Sequence, residues 1–318
     1  MTPSQLRAFG AVVRLGSVKQ AAAELGVTEA AVSLHVGQLR KELGDKLFSR
    51  TAAGLAFTPG GLRLASRAAE LLGLQDRTVL EVRQAGSGRR LLRVAASSLF
   101  AEHAAPGLIE LFAGRADDLD VEMSLHSPRD FATLLHTRAF DVAIGPRPAV
   151  IDDALTCKPF LNYQVIAVAS PDHPMAKVQP SVHELRQQTW LLGPSVATDI
   201  GLVTQIIRRL NIPEDNQEIF QNHAAALEEA KRGRGLALAV SFAVAQNLTA
   251  GDLKRVAGAG LHGEGVWSIL TLADRSASPV AAELARFITT PRATQAMLRG
   301  TGVTRGRFKP SIHVTLWS

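Results

Sequence analysis

The sequence predicts a helix-rich head of the helix-turn-helix kind, a long connecting helix, and a larger α/β body. Three observations point to it. The first 44 residues hold three short amphipathic stretches, each stopped by a glycine. An unbroken helical pattern opens at Thr58-Pro59. Beyond Gly86-Ser87-Gly88, apolar strand runs alternate with helical ones. With 318 residues, 46% of them hydrophobic, the chain has material for two or three folding units.

Leu6, Phe9, Val12, Val13 and Leu15 recur at helical spacing up to Gly16. Ser17 stands as an N-cap before a second stretch that carries Lys19 and runs to Leu25, where Gly26-Val27 makes a tight turn. Thr28 caps a third stretch, Glu29 to about Leu43, with Gly44 after it. Ala31, Val32, Val36, Leu39 and Leu43 form its buried stripe. The opposite face carries Glu29, Ala30, Ser33, Leu34, His35, Gln38 and Arg40. Two helices across a tight turn, with a free polar face on the second, match the geometry that enters a DNA major groove. Charge agrees: residues 1–90 hold 13 Lys+Arg against 7 Asp+Glu, while the remainder holds 22 of each, so the net +6 lies in the N-terminal part.

Thr58-Pro59 starts a helix that reaches about Ala85. Ala65, Ala68, Leu72, Val79 and Val82, with Gln75 in the seam, suit a short coiled coil between two chains. Gly86 to Arg90 reads as a hinge. The body follows: strands at Leu91–Ser98, Val121–His126, Phe140–Gly145, Gln164–Ala169, Trp190–Gly193 and Gly233–Val240, a return strand at Val266–Leu270, and helices near 100–112, 200–210 and 224–232.

The head resembles the LysR-type transcriptional regulators through Leu6 to Phe9, Gly16-Ser17, Ala21-Ala22, Leu25, Val27-Thr28, Ala31-Val32-Ser33, Leu39, Glu42-Leu43-Gly44, Leu47-Phe48, Arg50-Thr51, Thr58 and Gly60-Gly61. The resemblance continues diffusely to about residue 298, with Ser170-Pro171-Asp172-His173-Pro174 read as a turn. It implies four parts. These are a winged helix-turn-helix over 1–58, a linker and dimerisation helix with its hinge over 59–89, a two-lobed effector domain like a periplasmic binding protein over 90–298, and a basic tail. The first lobe spans about 91–161 and 266–298, the second about 162–265. It also implies double-stranded promoter DNA as a partner, a dimer through the linker helix that assembles further into a tetramer, and a small-molecule effector in the cleft. The DNA-contacting set is Ser17, Lys19, Thr28, Glu29, Ala30, Ser33, Leu34 and His35, with Arg50 and Thr51 on the wing. Glu29, Ala30 and Leu34 depart from the family's common glutamine, proline and arginine. A carboxylate accepts from cytosine N4 where an amide reads adenine, so altered base preference is expected.

Strand ends and helix N-termini favour an anionic effector, a carboxylate or phosphate, at Ser97, Ser98, Ser127, Gly145, Arg147, Thr198 and Asn222. Each hydroxyl is equally readable as a routine helix cap. Enzyme signals are thin. Gly193-Pro194-Ser195-Val196-Ala197 lacks the final glycine of a nucleophile elbow, and Gly233-Arg234-Gly235 lacks the third glycine of a dinucleotide loop. The nine histidines form no His-Glu-x-x-His pair, so no metal and no cofactor is expected, and the lone Cys157 reads as a buried structural thiol. Neither a signal peptide nor a membrane span is seen, which predicts a cytoplasmic protein without a membrane partner. An architectural DNA binder without a ligand stays open as an alternative, and behind it a solute-binding protein or an enzyme fused to the head. Arg299, Arg305, Arg307 and Lys309 precede an alternating run, Ser311 to Trp317, that reads as a terminal strand.

Overall fold

The computed structural model describes residues 1–51, 54–197, 200–273 and 276–299; at 50, 51, 54, 80, 83–85 and 87 it describes the backbone alone. The expected terminal strand and most of the basic tail, and the candidate Thr198, lie outside the described residues. The chain divides into two units, residues 1–87 with 136–139, and the remainder.

In the first unit, α1 (Pro3–Leu15), α2 (Val18–Leu25) and α3 (Glu29–Leu43) are set by their caps. Thr2 and Gln5 form a capping box, Ser17 accepts from the Gln20 N–H, and Thr28 accepts from the Ala31 N–H. Gly26 turns the chain between α2 and α3 at φ +64°, a left-handed conformation that a side chain would strain. Phe9, Val12, Val32, Leu39 and Leu47 are almost wholly buried together, and the Phe48 ring packs 6.1 Å from Phe9. A hairpin of β1 (Phe48–Thr51) and β2 (Gly54–Phe57) follows, pairing Phe48 with Phe57. Then comes α4, Pro59–Ser87. Its first turns differ from the expected seam, because Ala68 is buried in the head's core and Ala65 and Leu72 pack against the same cluster. Among the described side chains of α4, the large apolar ones left exposed are Leu71, Leu74, Val79 and Val82, with Leu62 near the start. α4 takes in Gly86-Ser87 and Arg90 already pairs in a sheet, so of the residues expected as a hinge only Gly88 and Arg89 lie outside both elements.

The second unit is built on one mixed sheet. Its elements are β3 (Arg90–Ala96), α5 (Ser98–His103), α6 (Ala105–Ala113), β4 (Leu119–Leu125), α7 (Phe131–His136), β5 (Val142–Pro146), β6 (Leu155–Ala169), α8 (Val182–Arg186), β7 (Trp190–Leu192), α9 (Leu202–Leu210), β8 (Gln217–Ile219), α10 (His223–Lys231), β9 (Leu236–Val240), α11 (Ala245–Ala250), β10 (Lys254–Arg255), β11 (His262–Leu272), α12 (Pro279–Phe287) and α13 (Pro291–Arg299). The strand order is β4-β3-β5-β11-β6-β9-β7-β8, with β10 also on β6. Parallel β4-β3-β5 forms one half and parallel β9-β7-β8 the other. Antiparallel β6 and β11 run through both: β11 pairs with β5 from Trp267 to Leu270, β6 pairs with β9 from Val165 to Val168, and a register shift falls between Trp267 and Ser268.

The single helix expected over 100–112 is two, because Pro106 has no N–H to continue the hydrogen-bond ladder and instead sits in the first turn of α6. Likewise β6 begins at Leu155, well before the apolar run Gln164–Ala169 that announces it, because its first half is mostly part-buried or exposed and carries no continuous apolar run. One apolar cluster runs through both halves of the sheet, from Leu92 and Phe100 through Trp267 to Trp190 and Leu236. No helix among the described residues is long and apolar enough to cross a membrane.

The core of the head gives a direct test. Leu39→Ala is expected to cost about 2–5 kcal/mol, the usual range for a buried leucine, and to lower the urea midpoint of the head's helical transition. Leu34→Ala, four-tenths buried and on the outer face, is expected to move it by less than about 0.5 kcal/mol.

Candidate functional site

Two sites stand out, one on each unit. On α3 the caps and the buried Val32, Val36 and Leu39 turn Glu29, Ala30, Ser33 and Leu34 outward, all exposed, Leu34 by 59%. His35 is half-buried, with its Nδ1 enclosed and without a partner. Lys19 is exposed, while Ser17 and Thr28 are spent on capping. Two members of the expected free face have structural duties. Arg40 lies over the Phe48 ring at 4.6 Å and donates to the Phe48 carbonyl at 2.7 Å, and Gln38 accepts from Gln5 Nε2 at 3.1 Å. Arg50 and Thr51 lie on β1, in the hairpin next to α3 in sequence.

In the second unit, a cavity of about 770 Å³ opens at the carboxyl ends of the parallel strands. Ser97 and Ser98 follow β3, His126, Ser127 and Pro128 follow β4, and Pro146 ends β5. From the other half come Pro194, Ser195 and Ala197 after β7, and Phe220 and Gln221 after β8. Tyr163 of β6 and Trp267 of β11, stacked 4.2 Å apart at 12°, complete the lining where the crossing strands meet.

The lining is mainly apolar, and among its described residues there is no Lys, Arg, Asp or Glu. Burial holds the His126 imidazole below its ordinary range, against the opposing charge of Asp130. Burial also pushes the Tyr163 hydroxyl up to about 12. Two buried polar atoms of lining residues have no partner, the Ser97 hydroxyl and the Trp267 indole N–H. Ser97 occupies the N-cap of α5 but makes no capping bond. An unsatisfied buried hydroxyl is costly, and a ligand atom would remove that cost.

Of the expected effector residues, Ser97, Ser98 and Ser127 line the cavity. Gly145 lies behind Ser97: a Cβ there would stand 2.9 Å from the Ser97 Cβ and Oγ and 3.0 Å from the Phe131 ring. Arg147 is exposed and outside the lining, which removes the side-chain cation expected there. Asn222 caps α10 through the Ala225 N–H at 2.8 Å and is not part of the lining. Sequence reading passed over Tyr163 and Trp267, which only the strand register brings together. It set Ser195 aside as a poor nucleophile elbow.

Ser195 heads a buried polar row. Its Oγ lies 2.8 Å from His223 Nε2, and His223 Nδ1 lies 2.6 Å from Glu102 Oε2. Glu102 also accepts from the backbone N–H groups of His223 at 3.0 Å and Ala224 at 2.8 Å. Burial alone would raise the Glu102 carboxyl, but these hydrogen bonds and the charge of His223 outweigh it and hold it at about 2. Thus the N-terminus of α10 is filled by Glu102 and Asn222. Cys157 is half-buried, and burial raises its thiol, so little reactive thiolate forms at neutral pH.

Residues 3–62 match the family profile described as bacterial regulatory helix-turn-helix protein, lysR family, and residues 85–291 match the LysR substrate binding domain. The chain is 57% identical over 321 residues, covering all of both proteins, to an uncharacterised HTH-type transcriptional regulator of Mycobacterium tuberculosis. A probable RuBisCO transcriptional regulator of Cyanidioschyzon merolae is 29% identical over 78% of this chain and 84% of its own. Among solved structures, ArgP from Mycobacterium tuberculosis superposes with a TM-score of 0.55 at 21% identity, over 95% of this chain and 98% of its own. LysG from Corynebacterium glutamicum with bound effector Arg gives 0.55 at 20%, over 94% and 98%.

The crowding at Gly145 predicts that Gly145→Ala displaces the Ser97 side chain and destabilises the second unit by about 1–3 kcal/mol, the usual cost of overpacking. A thermal melt checks the loss. The double variant with Ser97→Gly, which removes the opposed atoms, should recover part of it.

Proposed function

The chain belongs to the LysR family of transcriptional regulators, which bind DNA and small-molecule effectors and form oligomers, and on that premise we propose how this member uses its two sites. The head is a helix-turn-helix DNA-binding domain and the body an effector-binding domain; the chain is a regulator and not an enzyme.

On DNA, α3 lies in the major groove with Glu29, Ala30, Ser33 and Leu34 toward the base edges, Lys19 and Arg50 near the backbone, and Thr51 supporting the wing. The exposure of Glu29 and Leu34 carries this reading. A carboxylate accepts from cytosine N4 and an aliphatic side chain suits a thymine methyl, so the half-site is read partly by contacts unlike an amide on adenine or an arginine on guanine. Two chains pair through the exposed stripe Leu71, Leu74, Val79 and Val82 on α4, placing two heads on a two-fold site.

The effector occupies the cavity between the two halves of the sheet. Its largely apolar, aromatic lining, with the unpartnered Ser97 hydroxyl and Trp267 N–H, suits a small molecule with a flat or aliphatic body and one hydrogen-bonding end. A carboxylate at that end would be held by hydroxyls and N–H groups rather than by a guanidinium, since Arg147 lies outside the lining. Such a ligand shifts the arrangement of the heads only through different affinity for the two arrangements.

Two experiments check these readings. Selection from a random DNA pool is expected to yield a two-fold site, and Glu29→Gln is expected to change the preferred base at one position per half-site from cytosine toward adenine; an unchanged site for the variant refutes the contact. Footprinting the flanking promoter with metabolite pools should show protection that weakens steeply with salt and changes extent with effector. Protection indifferent to every metabolite would instead favour a ligand-free architectural binder.

A further inference from the structure

Glu102, His103 and His223 offer three donor atoms within 4.8 Å of one another. Glu102 and His103 come from α5, which packs on the first half of the sheet, and His223 from α10, which packs on the second. His223 is 2% exposed, and the Nε2 of His103 is enclosed without any partner. A lone buried imidazole nitrogen beside a carboxylate and a second imidazole is an expensive arrangement for a fold to keep empty-handed.

We propose that Glu102, His103 and His223 form a binding site for a divalent transition-metal ion, zinc or a close relative, joining the two halves of the effector domain. Two imidazoles and a carboxylate are the ligand set that zinc takes when a fourth position stays open for water, and imidazole donors select against magnesium and calcium. Zinc bonds of about 2.0–2.2 Å in a tetrahedron require donors about 3.3 Å apart, so the set must tighten by about 1 Å or more at its widest. Side-chain rotation on the two helices would have to supply that movement.

Several further features suit the ion. A second cavity, about 1040 Å³, is lined by Glu102 and His103 and gives a path to the site. Metal at His223 Nδ1 takes the place of the hydrogen bond to Glu102 and requires the imidazole proton on Nε2. That N–H then donates to Ser195 Oγ, now 2.8 Å away, the kind of outer partner that orients ligating histidines. Since Ser195 also lines the effector cavity, the ion would fix which way that hydroxyl points toward the effector.

The test uses the full chain, stripped by a strong chelator and titrated with zinc against a chromophoric chelator, with magnesium as the control. One zinc per chain is expected, with no response to magnesium. His103→Ala, whose lost side chain leaves the Ser195–His223–Glu102 row intact, should weaken zinc by about 100-fold or more without lowering the metal-free melting temperature substantially. Ser195→Ala should weaken it by about 10-fold to 100-fold, the size of an outer-partner effect. Failure to compete with the chelator overturns the site, as does zinc binding of equal strength in wild type and His103→Ala, because the metal would then lie on other histidines.

Discussion

Everything in the second unit depends on two strands crossing between the halves of one sheet. β6 and β11 pair with each other over their length and carry the hydrogen bonding of β5 on one side and β9 on the other. The carboxyl ends of the two parallel sets therefore face a common space, and the loops after β3, β4, β7 and β8 each contribute side chains to its lining. The register shift beside Trp267 coincides with the passage between halves, and Tyr163, Phe100 and Phe242 all pack on its ring. A continuous apolar cluster through this junction makes relative movement of the halves a matter of bending two strands rather than parting two surfaces. An effector at the junction touches the elements that such bending would move.

Hydrogen-bond accounting separates the polar groups that build from those that are left to bind. Asn222, Thr28 and Ser17 are committed to helix starts, and Arg40 to the Phe48 carbonyl and ring. The carboxylate of Glu102 fills the N-terminus of α10 from the other half of the sheet, satisfying two backbone donors that would otherwise have needed water or an anion. Among the buried polar atoms left without a partner, the Ser97 hydroxyl and the Trp267 indole N–H lie at the cavity and His103 Nε2 lies beside the Glu102–His223 pair, while others, such as His35 Nδ1 and Gln75 Oε1, lie in the first unit.

The head was legible because its information is local. Ser17 and Thr28 stand three residues before the N–H groups they receive, and Gly16, Gly26 and Gly44 mark each helix end. The apolar strands of the body were legible for the same reason, as runs of residues buried on both faces. The linker seam was half legible: its spacing is correct for a helix, but spacing does not say whether Ala65, Ala68 and Leu72 meet a second chain or their own head, and they meet their own head. Arg147 and Asn222 lie outside the cavity lining because a position just after a strand or before a helix fixes the backbone and leaves the side chain free to face solvent or cap. The metal-like cluster was invisible to motif spacing. His223 and Glu102 are separated by 121 positions, and no periodicity links them.

The departures of this chain from the common recognition-helix residues and the composition of its cavity bear on one another through physics rather than motif. On the proposed reading both sites use shape and hydroxyl or carboxylate chemistry where a guanidinium was the simpler expectation: Leu34 stands exposed on α3, and Arg147 lies outside the cavity lining. An arginine supplies affinity through charge that salt screens and many anions satisfy. An apolar contact with a single hydrogen-bonding partner supplies less affinity but rejects ligands of the wrong shape, because a mismatched polar group left unpaired there is penalised in full. In the head the excess of positive charge remains to hold the DNA backbone, so base reading can be given over to contacts of that kind. Among the described residues of the cavity lining no Lys or Arg could play that holding part, so on the proposed reading selectivity comes from the fit of the aromatic walls around a ligand able to answer Ser97 and Trp267.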